Sequence, residues 1–244
     1  MEPRAYRHWV EGKDLNSFTV TVKETDLYIR ASCNLKRKAH RLILKYRELL
    51  EKYIERCPSF QTSLKPLPTP EDAPLIARHM AEAAQKAGVG PMAAVAGAIA
   101  EFIGSELLAF SPEIIVENGG DIYLKILKKR LIGIYAGKSP FTGKIGIEVN
   151  EEDTPLGICT SSGTVGHSLS LGKADAAIVL SESTALADAA ATAIGNLIKK
   201  SADIARGIEF GENIAGVKGI IIIKDDSIGL WGDVKICRMS AQTA

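Results

Sequence analysis

Cysteine is sparse and scattered. The four residues, Cys33, Cys57, Cys159 and Cys237, lie far apart and form no Cys-x-x-Cys pair, so neither a zinc knuckle nor a disulfide framework is indicated. A reducing, cytoplasmic setting fits that usage. The longest apolar run, Met92 to Ala100, falls far short of the roughly 20 residues needed to cross a bilayer, and no membrane partner is expected. The segment Met1 to His8 lacks the apolar core of a signal peptide. Charge of one sign is also missing: 30 Lys+Arg stand against 29 Asp+Glu, which leaves no overall field to attract nucleic acid. The first 66 residues are nevertheless basic and the remainder acidic, a split that most simply describes solvated surface. There is no long internal repeat and no low-complexity segment.

What is present centres on Val116-Glu117-Asn118-Gly119-Gly120-Asp121, which follows Ile114-Ile115 and leads into Ile122-Tyr123-Leu124. The flanks read as strands and the middle as a tight corner. Adjacent glycines allow positive φ and close approach of a ligand or another chain, while Asn118 and Asp121 put oxygens beside the bend. A plain β-hairpin turn accounts for the same residues. The surrounding stretches argue for more. An Ala/Gly-rich helix precedes the corner, and the loop Thr160 to Ser170 that follows is the densest set of hydroxyls and glycines in the chain, a composition suited to surrounding phosphate oxygens. Beyond it, Asp188 and Thr192 are four apart on a predicted helix and so share one face. A carboxylate and a hydroxyl are hard donors, suited to Mg²⁺ or Ca²⁺ rather than zinc.

In chain order, a short strand is expected at Tyr6 to Val10 and a hairpin at Phe18–Val22 and Leu27–Ala31. A long helix capped by Asn34 follows, its apolar residues three and four apart, ending at Pro58. Lys36, Arg37, Lys38 and Arg41 crowd its start, where the dipole favours acids, and read as a solvated basic face or as a hint of a bound anion. Ser59 to Pro70 reads as an extended connector. Thr69-Pro70-Glu71-Asp72 predicts a second helix to about Ala87, and Pro91 a third to about Leu108. Its first half, Met92 to Ala100, is small and apolar on every side, suiting close packing or exposure of its first turn to a ligand. Strands are predicted at 122–127, 131–135 and 143–149, with Lys128-Lys129-Arg130 as a charged hairpin tip. Another leads through Gly157-Ile158-Cys159 into the hydroxyl loop, and Ala174–Leu180 is a further strand. Ser181 or Ser183 caps the helix bearing Asp188. A helical stretch from Ser201 to Glu212, a hairpin around Asp225-Asp226, an edge strand at Val234–Cys237 and a frayed Gln242–Ala244 complete the chain. This order argues an α+β fold of mostly antiparallel sheets with helices gathered on one side.

Three of these stretches together resemble the ApbE superfamily, flavin transferases that move FMN from FAD onto a protein threonine. The likeness is greatest to a compact cytosolic ApbE-like branch. Asn118-Gly119-Gly120-Asp121-Ile122 matches the family's Asn-x-Gly-Gly-Asp-Ile turn with one residue fewer. Thr160-Ser161-Ser162-Gly163-Thr164 matches its Ser-Thr-Ser-Gly loop, and Ala187-Asp188-Ala189-Ala190-Ala191-Thr192-Ala193 its Ala-Asp-Ala-x-x-Thr-Ala helix. The resemblance covers about residues 90 to 200. It implies one T-fold-like ApbE domain, with residues 1–66 as an N-terminal hairpin plus long helix and 90–200 as the core. It further implies Mg²⁺ on Asp188 and Thr192 with a backbone carbonyl near Ala93 or Ala94, and FAD or FMN in a cleft lined by Asn118 to Asp121 and Thr160 to Thr164. Two departures stand out: Ala93 to Ala98 replaces the family's Lys-Gly-Tyr segment, and Gly166-His167-Ser168 is all that remains of its His-x-x-Asp-Pro-x-Thr-Gly loop.

Two classes of function follow. One is Mg²⁺-dependent flavin chemistry, as an FMN transferase onto an acceptor protein with a threonine target or as an FAD pyrophosphatase, with His167 as the only histidine placed to act as general base. Flavin binding without turnover is its quieter form. The other is a sulfur- or thiol-handling protein on the same scaffold, with Cys159, one residue before the hydroxyl loop, as a thiol of lowered pKa.

Overall fold

A computed structural model describes residues 7, 9, 10, 12, 14–164 and 171–239. The chain opens with a hairpin, β1 (Asn16–Val22) and β2 (Thr25–Ala31), followed by the long helix α1 (Lys36–Arg56), one turn of helix α2 (Ser59–Thr62) and α3 (Leu75–Ala87). A 3-10 turn at Pro91–Ala94 feeds α4 (Val95–Leu107). Five strands come next: β3 (Ile114–Asn118), β4 (Asp121–Lys125), β5 (Arg130–Gly133), β6 (Ile145–Val149) and β7 (Leu156–Ser161). The remainder is β8 (Ala176–Ser181), α5 (Thr184–Leu197), α6 (Ile204–Glu212), β9 (Val217–Lys224), β10 (Ser227–Gly232) and β11 (Lys235–Arg238).

Eight strands form one sheet in the order β1-β2-β3-β4-β7-β8-β9-β10, antiparallel throughout, and β11-β6-β5 form a second. Both faces of the large sheet are covered, so its central strands read as continuous apolar runs. Within β9, Ile220 and Ile222 face a core shared with α1, α3, α4 and α5, while Ile221 and Ile223 face the three-stranded sheet. Alternation along each strand thus feeds two cores. The α+β arrangement with helices on one side agrees with the sequence reading; the small sheet closing the opposite face was not foreseen.

Several boundaries differ from expectation. Val10 makes an isolated bridge to Ile132 instead of belonging to a strand, and Tyr6 lies outside the described residues, as do Gln242–Ala244. The connector after Pro58 contains α2, and α3 begins after Pro74, which sets an extended backbone at its own position. Asn34 does accept the Lys36 amide, at 3.0 Å, although the first helical turn carries no other side-chain cap. Lys36, Arg37 and Arg41 are exposed, and Lys38 Nζ sits 3.6 Å from the Phe110 ring centroid. No single described helix is long and apolar enough to cross a membrane.

Lys128-Lys129-Arg130 is only partly a charged tip. Lys128 and Lys129 are exposed, but Arg130 is buried, its Nη1 and Nη2 2.6 and 3.0 Å from the Asp14 carboxylate and its Nε 2.9 Å from Glu113 Oε1. This bidentate pairing ties the segment before β1 to β5, and it holds the Asp14 carboxyl well below its usual range. Arg130→Met leaves Glu113 buried and unpaired, so we expect a loss of about 3–5 kcal/mol in urea unfolding; a change below about 1 kcal/mol would show the network to be dispensable.

Candidate functional site

The register of β3 and β4 places Asn118 opposite Asp121 and leaves Gly119 and Gly120 as the whole corner. Their φ values of 69° and 112° are positive, a region that side chains avoid, so the glycine pair is a requirement of this turn. Glu117 Oε1 accepts the Gly120 amide at 2.8 Å. Asp121 Oδ1 accepts the Thr160 amide at 3.3 Å across the β4–β7 pair.

Two helices reach this corner from the helical face. Asn118 Nδ2 donates to the Ala96 carbonyl at 3.0 Å, and the Gly97 amide donates to Asp188 Oδ2 at 2.8 Å. A Cβ on Gly97 would stand 2.4 Å from the Thr184 carbonyl oxygen and 2.8 Å from Asp188 Cβ, so α4 and α5 approach this closely only because residue 97 is glycine. One turn further along α4, Glu101 Oε2 accepts the Ala185 amide at 3.1 Å, supplying a partner for one of the open donors at the start of α5. Ser183 is the cap of α5 and accepts the Leu186 amide. Residues 97 and 101 therefore fix the height at which Asp188 meets the corner.

The residues picked out from sequence thus separate into two groups. Asn118 to Asp121, Thr160 and Asp188 are brought together, with the 3-10 turn bearing Ala93 packed against α5. Thr192 lies one turn along α5 and is partly exposed. Thr160 and Ser161 form the end of β7, not a loop, because they pair with Ile178 and Ala177 of β8. Ser161 lies near the far end of α5, its Oγ 3.2 Å from where a Cβ on Gly195 would stand. Ser162, Gly163 and Thr164 turn towards β8: the Gly163 amide donates to Ala174 O at 2.9 Å and Thr164 Oγ1 to Asp175 Oδ1 at 3.1 Å. His167 lies outside the described residues. Sequence reading missed Glu117, Gly97 and Glu101. Glu117 stood inside the corner motif but was taken for a strand residue, and Gly97 was one of many small residues in its helix.

Electrostatically the cluster is acidic. Burial pushes the Asp121 carboxyl up to about 7, the neighbouring Glu117 adding to the effect while the Cys159 thiol and the Thr160 amide oppose it. Asp188 is raised well above the carboxylate range, first by loss of water and then by Asp121, with the Gly97 and Ala96 amides pulling the other way. Two neighbouring carboxylates that resist joint ionisation form a site that a cation relieves. The donors are oxygens, as Mg²⁺ prefers. Among the described residues no group of three or more His, Cys, Asp or Glu could hold a metal by itself, so any ion here would need oxygens from a ligand or water as well.

Cys159 does not have the environment of a reactive thiol. It is fully buried, donates to the Thr184 carbonyl at 3.4 Å, and is pushed upwards in pKa by burial and by Asp121 and Asp188. The expected lowering is thus reversed, because carboxylates and not cations surround the sulfur.

The overall fold is that of solved flavin transferases. The apo flavinyl transferase ApbE of Pseudomonas stutzeri superposes with a TM-score of 0.56 at 15% identity, over 89% of this chain and 93% of that one. A mutant of the Vibrio cholerae flavin transferase ApbE gives 0.53 at 14%, over 89% and 96%. At the level of sequence, a family profile described as AbpE bacteria matches residues 7–211. A UPF0280 protein of Methanocaldococcus jannaschii is 43% identical over 221 residues, 88% of this chain and 90% of the relative. One of Methanopyrus kandleri is 41% identical over 223 residues, 88% and 90%. The chain belongs to the ApbE-like superfamily, within the family described as AbpE bacteria.

Two outcomes are expected. A carboxyl whose folded pKa of about 7 exceeds its unfolded value of 3.8 binds more protons folded than unfolded between those values, so its contribution falls as pH rises from about 4 to 7. Asp121→Asn keeps the acceptor and removes that penalty. It should raise stability by about 4 kcal/mol at pH 8, or about 8–16 °C in Tm, and by less than about 1 kcal/mol at pH 4. A Tm shift independent of pH would contradict this. In alkylation followed by peptide mass spectrometry, exposed Cys33 should react fastest and Cys159 last; early labelling of Cys159 would restore the thiol reading.

Proposed function

We propose that the protein binds a flavin nucleotide, FAD or FMN, together with Mg²⁺ in the cleft between the Gly119–Gly120 corner and α5, and acts by phosphoryl or FMN transfer. One observation carries this reading. The Gly97, Gly120 and Thr160 amides, which in a phosphate-binding nest would face the ligand, are each taken by a carboxylate: Asp188, Glu117 and Asp121 respectively. A diphosphate can settle beside such a surface only if a cation lies between them. Asp188 and Thr192 would hold that ion, with a backbone carbonyl near Ala93, and Asn118 to Asp121 and Thr160 to Thr164 would line the nucleotide. Bound Mg²⁺ would supply neutralisation and polarisation of the diphosphate.

The chain's own part is to set the approach of the attacking oxygen. A threonine hydroxyl of an acceptor protein, or water, forms a bond to the flavin-side phosphorus, the bond to the AMP oxygen breaks, and AMP leaves. The attacking oxygen gives up its proton to His167 in this scheme, a role that rests on sequence alone. Glu101 and Gly97 keep Asp188 in place without touching the nucleotide. Nothing around Cys159 supports thiol chemistry, and the sulfur-handling alternative has no observation in its favour.

Calorimetric titration with FAD should give an affinity at least tenfold higher with Mg²⁺ than with chelator, and Asp188→Ala should remove that difference. Equal affinity in the wild type with and without Mg²⁺ would reject the reading. Release of AMP on incubation with FAD distinguishes turnover from binding alone.

A further inference from the structure

We propose that Arg7 is a positioning residue for the cleft: through Glu117 it holds the Gly119–Gly120 corner in the shape that presents Asn118 and Asp121. The inference rests, for its consequence on ligand binding, on the flavin–Mg²⁺ reading above. It brings into the site a residue far in sequence from the segment that carries the motifs, acting through Glu117.

Arg7 is 9% exposed and held from several directions. Its Nε lies 2.7 Å from Glu117 Oε2. Its Nη2 donates to the Asp26 carbonyl at 2.8 Å and stands 3.1 Å from the Asp26 carboxylate. The guanidinium carbon is 5.8 Å from the centre of the Tyr28 ring, and the Arg7 carbonyl accepts from Arg30 Nη2 at 3.0 Å. Tyr28 is also the register partner of Glu117 in the β2–β3 pair. The arginine therefore bridges the start of β2 to the end of β3, where the corner begins.

Glu117 passes this constraint on. It is 3% exposed, and the oxygen not facing Arg7 accepts the Gly120 amide at 2.8 Å. That amide belongs to a glycine at φ 112°, a conformation open to it among many others, so the turn needs contacts from outside to be held in one shape. A charge-assisted bond from a buried carboxylate is a strong restraint on such a turn. The Arg7 guanidinium helps to hold that carboxylate charged and oriented, and a buried acid that loses a compensating charge is driven towards protonation or towards water. In either case the Gly120 amide loses its charged acceptor and the corner loosens, with Asp121 at its downstream edge.

The test compares Arg7→Met, Glu117→Gln and the double variant by amide hydrogen exchange at Gly120 using ¹⁵N NMR, and by FAD titration with Mg²⁺. Glu117→Gln keeps an acceptor for Gly120 without needing a cation, so it guards against a simple folding defect. Arg7→Met is expected to speed exchange at Gly120 at least tenfold while amides of the β9–β10 hairpin keep their protection, and to weaken FAD affinity about tenfold. The double variant should match Glu117→Gln alone in both readouts, because the loss brought by Arg7→Met acts through the Glu117 carboxylate. Unchanged Gly120 protection in Arg7→Met would overturn the inference. So would equal loosening of the β9–β10 hairpin, additive losses in the double variant, or a loosened corner with unaltered FAD affinity. If the wild type shows no Mg²⁺-dependent FAD binding, the proposed function fails, and this inference stands or falls on the exchange data alone.

Discussion

The contact on which the site depends is the hydrogen bond from the Gly97 amide to the Asp188 carboxylate. It joins the first turn of α4 to the second turn of α5 at a separation that no side chain at position 97 would permit. Asn118 then ties the same turn of α4 to the corner of the sheet, so one backbone segment sets both the helix that carries Asp188 and the strand end that carries Asp121. Glu101, one turn on, anchors the start of α5. The two acids are consequently neighbours shielded from water; Asp121 raises the proton affinity of Asp188, and Glu117 raises that of Asp121.

Such an arrangement is costly for the folded protein by itself. Paired buried carboxylates stabilise a fold less than neutral residues of the same shape would, and their retention at a cleft is more typical of functional sites than of cores. The Gly97, Gly120 and Thr160 amides beside them are already taken by carboxylates, so none of the three is free to receive an anion. That chemistry favours a cation and disfavours a bare anion. It also explains why the buried Cys159, which in another setting would be a candidate nucleophile, is held as a thiol.

Much of this was legible in the sequence, for identifiable reasons. The β1–β2 hairpin follows from alternating apolar and hydroxyl residues, and α1 from apolar residues at spacings of three and four, because each presents a single face to a single core. The corner was legible because two adjacent glycines between strand formers have few other uses. Thr160 and Ser161 were misread because hydroxyl residues suit both loops and strands, and pairing with β8, a tertiary fact, decides between them. Arg130 was taken for surface because its partners, Asp14 and Glu113, are far away in sequence. Gly97 and Glu117 went unnoticed for the same reason: their roles are set by what crosses over them and not by their neighbours in the chain. Asp188 and Thr192 stand out in the sequence through the spacing of one helical turn, whereas the surroundings of Asp188 come from parts that only the fold brings together.

The most direct measurement is the proton balance of Mg²⁺ binding, obtained by titrating the metal into the FAD-saturated protein near pH 6.5 in two buffers of different ionisation enthalpy. If Asp121 and Asp188 share a proton that the ion displaces, binding should release close to one proton per site, and Asp121→Asn should reduce that release. Binding with no proton release, or no heat of Mg²⁺ binding at all, would contradict a cation held by Asp188 beside the Asp121 carboxyl.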